Sequence, residues 1–92
     1  MDTDSVQVWL VERTYSDDEQ NLIILTYATT DGTQYFRKER ALPSFSGPDR
    51  VTTAAVETTP DNLGPVQDPE QRDFYATEAT RMASTHDPDD PI

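Results

Sequence analysis

The residues best equipped for chemistry stand together in TDGTQYFRKER, residues 30–40, where Arg37, Lys38 and Arg40 follow Tyr35 and Phe36. Sheets that bind nucleic acid present aromatic rings to the bases and set Arg or Lys beside the phosphates. Tyr35 and Phe36 are neighbours, so on a strand they must point to opposite faces. The glycines and alternating aromatics of an RNA-recognition strand are also missing. Tyr35 and Arg37, joined by Arg13, are expected on one surface, with Lys38 and Arg40 on the reverse. These five are the candidate contacts for a protein partner or a nucleic acid. The competing reading is structural: their stems cover the sheet while their charged heads pair with carboxylates.

Other chemistry has little to draw on. His86 is the one histidine and stands near Asp87, Asp89 and Asp90. Imidazole and carboxylates are legitimate metal ligands, but this group occupies a proline-broken terminus, so a metal site is not expected. There is no cysteine, hence no disulfide and no thiolate site. No serine lies in a nucleophile elbow, and Gly32, Gly47 and Gly64 are too scattered to cradle a phosphate. Asp17, Asp18 and Glu19 adjoin one another in a polar stretch, without the buried partner that would raise a carboxyl into the general-acid range. No catalytic residue and no cofactor is expected, and the chain does not read as an enzyme.

The elements that position these residues follow from periodicity. VQVWLVERTY (6–15) alternates Val6, Val8 and Leu10 with Gln7, Trp9 and Val11, which predicts a strand. SDDEQN (16–21) is a loop, and LIILTYATT (22–30) is a second strand, apolar on both faces. Asp31-Gly32 predicts a two-residue type I′ hairpin turn with positive φ at both central positions. That turn sets Ala28 opposite Tyr35, Tyr27 opposite Phe36 and Leu25 opposite Lys38 in the returning strand 33–40. PSFSGPD (43–49) is a loop. Segment 50–59, RVTTAAVETT, is compatible with a short helix or an extra strand, and the spacing of Val51, Ala54 and Ala55 favours the helix. From Asp68 a helix is expected over 69–86, with Pro69 at its first position, Gln71 completing a capping box and Asp87-Pro88 ending it. Tyr75, Ala79, Met82 and Ala83 form its apolar stripe, with Ala76 alongside. The tail DPDDPI (87–92) is acidic and proline-rich and is expected to fray.

The expected fold is therefore α+β: a three-stranded antiparallel meander with a C-terminal helix packed on one face. One domain spans 1–86, since 92 residues supply a single modest core. The net charge is −11, with 18 acidic residues against 7 basic ones; Lys38 is the sole lysine, and threonine occurs 13 times. Hydrated carboxylates keep a surface soluble while concentrated salt suppresses their repulsion. In molar salt the Debye length is about 3 Å, so any cationic patch must act by contact. The acidic start MDTDSVQV and the shortness of the apolar run 22–25 argue against a secretory signal or membrane span, so a cytoplasmic protein is expected.

VWLVERTYSDDEQNLIILTYATTDG with YFRKERAL (8–42), and FYATEATRMA with HDPDDPI (74–92), resemble a family of small acidic proteins of haloarchaea. The resemblance implies a halophilic cytoplasm and no activity, ligand or catalytic residue. The two-sided apolar strand and Trp9 present more apolar surface than one helix covers, which leads to the functional expectation. The chain reads as a non-enzymatic interaction module that self-associates through its sheet as a homodimer or binds another protein. The alternative is a nucleic-acid-binding accessory protein that uses strand 35–40.

Overall fold

The structure is a computed structural model, and it describes residues 5–16, 22–41 and 52–92. Of the loop expected at 16–21, Ser16 belongs to the preceding strand and residues 17–21 lie outside the described residues, as do the loop expected at 43–49 and the start of segment 50–59. The fold is α+β. Five antiparallel strands, β1 (Val6–Ser16), β2 (Leu22–Ala28), β3 (Gln34–Ala41), β4 (Ala55–Thr58) and β5 (Gly64–Pro65), form one sheet in the order β4-β1-β2-β3-β5. One α-helix, α1 (Pro69–Thr85), packs on it. The expected meander is its centre, β1-β2-β3, and a further strand is added at each side.

The β2–β3 register is the expected one, with Ala28 opposite Tyr35, Tyr27 opposite Phe36 and Leu25 opposite Lys38. The turn differs. The Gly32 amide donates to the Thr29 carbonyl (2.9 Å), which centres the β-turn on Thr30-Asp31, and Gly32 follows at φ +75°. The four residues 30–33 thus form the loop, and the Thr29 amide donates to the Gln34 carbonyl across its base (3.1 Å). Register survives because both loops are centred on the same peptide bond. The Asp31 carboxylate organises this one. It accepts from the Thr29 hydroxyl (2.6 Å), the Thr33 amide (3.0 Å) and the Thr33 hydroxyl (2.8 Å). These bonds, led by that from Thr29, hold its carboxyl below the usual carboxylate range.

Strand β1 carries an irregularity that periodicity does not predict. Leu10 pairs with Tyr27 and Glu12 with Thr26, so Val11 is an extra residue, a β-bulge. Before the bulge, Val8 and Leu10 share a face with Tyr27, and Trp9 lies opposite them. After it, Glu12 joins the face of Trp9, while Arg13 takes the register of Leu25.

The middle segment is corrected. Instead of the favoured helix, Ala55–Thr58 is strand β4, paired along β1 from Trp9 to Val6. The β-branched Val and Thr suit a pleated surface, and the open edge of β1 supplies backbone partners that an isolated four-residue helix lacks. Past Thr58 a single 3₁₀ turn, Pro60–Asn62, leads to β5 on the opposite edge of the sheet. Asn62 Nδ2 still donates to the Thr58 hydroxyl (2.9 Å), yet Gly64, two residues later, pairs with Tyr35. A flat five-stranded sheet would be about 19 Å from edge to edge, beyond the reach of so short a link. The sheet is therefore curled towards the face that receives Leu63. On this concave face Val8, Leu25 and Tyr27 are fully buried, Leu10 and Ile23 nearly so, and Val6, Phe36, Val56, Leu63 and, from α1, Met82 pack against the cluster.

The convex face belongs to α1. Pro69 opens the helix as expected, but Asp68 makes no side-chain cap. Gln71 also forms no capping box, because its amide is drawn inward to donate to the Tyr75 hydroxyl (3.2 Å). Trp9, Ala54, Ala55 and Ala79 form one buried cluster, and Ala28, Val66 and Tyr75 another. The run of alanines lets helix and sheet approach closely. Gly32 fixes where they meet. A Cβ on it would collide with the Arg72 carbonyl oxygen and lie 2.9 Å from the Ala76 nitrogen. The tail is tied down rather than frayed. The Ala54 amide donates to the Asp90 carbonyl (2.9 Å), that of Ala55 to Pro88 (3.0 Å) and that of Ile92 to Thr52 (2.8 Å).

Candidate functional site

The bulge at Val11 and the hairpin register together build one row across three strands. Glu12 pairs with Thr26, and Thr26 pairs with Arg37, all on the convex face. At a strand spacing of about 4.8 Å, the outer two backbones stand about 10 Å apart. Thr26, small and buried, is the floor between an exposed Glu12 and an exposed Arg37. Because Gly32 seats the helix over the turn end of the hairpin, α1 covers Trp9 and Ala28 and leaves this row bare. The result is a cleft of about 620 Å³ open to solvent, within the usual size range of ligand sites.

The cleft's far wall comes from the helix and from the segment after β5. Tyr75, only 7% exposed, and Gln71 enter from α1, Tyr35 rises half-buried from β3, and Pro65, Val66 and Gln67 close one end. The Val66 amide donates to the Thr33 carbonyl (2.9 Å), which fastens that end to the hairpin. Burial pushes the Tyr75 phenol above its ordinary value; Glu12 and Tyr35 add to the rise and Arg37 opposes it. Tyr75 is thus a neutral hydroxyl at physiological pH, suited to hydrogen bonding rather than to acting as a base. Among the described residues, Glu12 and Arg37 make no hydrogen bond and no ion pair. The floor and back are ordered while the two charges are uncommitted. Among the described residues that line it, no nucleophilic side chain is hydrogen-bonded to a base.

Tyr35 and Arg37, expected to share a surface, both line this cleft. Arg13 does not join them. The bulge turns it out of their face, and its guanidinium lies 3.5 Å from the Ile92 main-chain oxygen. Lys38 is exposed on the concave side, opposite Leu25. Arg40 pairs by backbone with Ile23 in the same alternation, and its side chain lies outside the described residues. The basic-aromatic run is accordingly split between two surfaces. Glu12, Gln71 and Tyr75 are cleft residues that periodicity did not mark as functional. No signal within β1 marks Glu12, because the bulge that turns it to this face is set by the pairing with β2.

The histidine end of the chain gathers nothing comparable. His86 Nδ1 is 2.8 Å from the Thr85 hydroxyl, and the Asp90 carboxylate accepts from the Asp87 amide (2.9 Å). Among the described residues no group of three or more His, Asp or Glu side chains is placed to hold a metal. None of the described helices is long and apolar enough to cross a membrane.

Comparison with known families assigns the chain. It belongs to DUF7967, a family of unknown function, which matches residues 2–92. No curated protein and no solved structure matches it.

Proposed function

We propose that this member of a family of unknown function is a non-enzymatic interaction module that engages its partner through the cleft above Thr26. The observation that carries the reading is the contrast in commitment. Among the described residues Glu12 and Arg37 face an ordered, half-enclosed space without hydrogen-bond or ion-pair partners, whereas the core residues of both sheet faces are buried within the chain. Self-association through the sheet needs an uncovered apolar face. That face is buried in the single chain, and the large apolar side chains exposed among the described residues are Phe74 and Ile92. The sheet edges are also blunted, since β5 has two residues including Pro65, and the tail pairs alongside the start of β4. With that face covered, the cleft is the surface this reading gives to the partner. The acidic composition and the near-absence of lysine support a halophilic cytoplasm as its setting.

A Gln71→Trp variant would place a bulky ring in the cleft at the loss of one hydrogen bond, that to the Tyr75 hydroxyl. Affinity capture from an extract of the source organism, with and without nuclease, is the test. A partner held by the wild type and lost by the folded variant supports the reading; one retained equally by both defeats it. Nucleic-acid binding is the second reading, motivated by Tyr35 and Arg37 sharing the cleft. It predicts capture that disappears with nuclease, and oligonucleotide binding in molar KCl that falls on Arg37→Glu.

A further inference from the structure

We propose that the cleft selects an amphoteric ligand, one carrying a carboxylate and a cationic nitrogen held apart by a short spacer, as in two side chains of a short peptide. This rests on the cleft being the binding site and names what it takes. Arg37 offers a guanidinium fork that matches a carboxylate. Glu12, two strands away on the same face, offers the complementary acceptor for an ammonium or guanidinium group. Among the described residues neither has an ion-pair partner, and Thr26 between them is too short to reach either. A ligand bridging the row can therefore satisfy both at once.

The neighbours sharpen the choice. A polyanion brought to Arg37 would also bring negative charge towards Glu12, and a polycation would meet the reverse problem at Arg37; like-charge juxtaposition of this kind excludes wrong ligands. The Tyr35 ring and the Gln67 and Gln71 amides line the remaining wall, suited to the spacer and its peptide groups. The Tyr75 hydroxyl, accepting from Gln71, keeps its own proton free to donate. Such a ligand could be a free short peptide or an exposed segment of a larger protein, and the recognising chemistry is the same.

The test uses blocked tripeptides, so that only side chains carry charge: acetyl-Lys-Gly-Glu-amide, its Lys-Gly-Lys and Glu-Gly-Glu counterparts, and an uncharged control. Titration of the full chain is followed by calorimetry and amide chemical shifts in molar KCl. The mixed-charge peptide is expected to bind, with shifts at Glu12, Thr26 and Arg37. Each of Glu12→Gln and Arg37→Gln should weaken it by about tenfold or more, as loss of a charge-assisted contact does. The decisive pair is charge reversal. Glu12→Arg should move the preference to Glu-Gly-Glu, and Arg37→Glu should move it to Lys-Gly-Lys. Equal binding of all four peptides, binding of none, or a preference unmoved by either reversal overturns the inference. The two sources separate by whether free mixed-charge peptide displaces a partner captured from extract. If Gln71→Trp abolishes capture while the reversals change nothing, the cleft stands as the interaction site and the amphoteric ligand falls.

Discussion

The concave and convex faces of one sheet are made by the same three central strands and end in opposite conditions. On the concave side Val8, Leu25 and Tyr27 are sealed, and the curl that joins β4 to β5 tightens the packing around them. On the convex side the helix seals Trp9, Ala28 and Ala55 and stops short of the next row, so Glu12 and Arg37 remain open over Thr26. A helix is a narrow cover for a sheet face, and where it lies is decided by what lets it approach. Here that is Gly32 at the hairpin tip and the alanines beneath α1. The same seating that completes the core on one row leaves a binding space on the other.

This contrast is broken most severely from the concave side. Leu25→Ala should lower unfolding stability by about 2–5 kcal/mol, through lost burial and the cavity left behind, read as a fall in denaturant midpoint at constant slope. A loss below about 1 kcal/mol would mean that the concave cluster is looser than described. Gly32→Ala tests the seating of the helix. The left-handed backbone alone costs a residue with a Cβ roughly 1–2 kcal/mol, and collision with Arg72 adds to that. Amide exchange in α1 should accelerate with it; a variant as stable as wild type would show that the hairpin tip does not position the helix.

Asp31 gives a smaller effect with a definite sign. Its folded pKa lies below its unfolded value, so its stabilisation is present above the unfolded pKa, near 3.9. It is lost as pH falls through the folded value. Asp31→Ala should cost about 1 kcal/mol near neutral pH, a magnitude typical of lost turn hydrogen bonds in an exposed loop. The difference from wild type should shrink as both are acidified, and a constant difference down to low pH would remove Asp31 as its source. The smallest change is expected in the open row. Glu12→Gln and Arg37→Gln should each leave stability within about 0.5 kcal/mol, since neither side chain has a partner among the described residues. A larger destabilisation would move them from the binding account to a structural one.

Much of this was legible in the chain. The hairpin at Asp31-Gly32 fixed which side chains face together on β2 and β3, because an even alternation needs only one reference point. The wrong turn type did not disturb it, as both loops share a centre. The helix was legible from Asp68-Pro69 and from the Tyr75, Ala79, Met82 and Ala83 stripe. What failed were features decided at a distance. Segment 50–59 has mixed local preference, and the unsatisfied edge of β1 settled it as a strand. Gln71 could cap its helix or bond Tyr75, and the wall of the cleft settled that. The tail reads as frayed until 52–55 offers it backbone partners.

The candidate site divides along the same line. Tyr35 and Arg37 were placed together by register alone. Glu12 was out of reach, since a bulge is a mismatch between two strands and neither strand carries it by itself. The sequence determined by local chemistry that this chain would alternate, turn and coil where it does, and that its few cations would be outnumbered. Only the tertiary structure decided which row the helix would leave uncovered. That depends on close approaches between segments far apart in sequence, Gly32 against Arg72 and Ala76 above all, which no periodicity within either segment can encode.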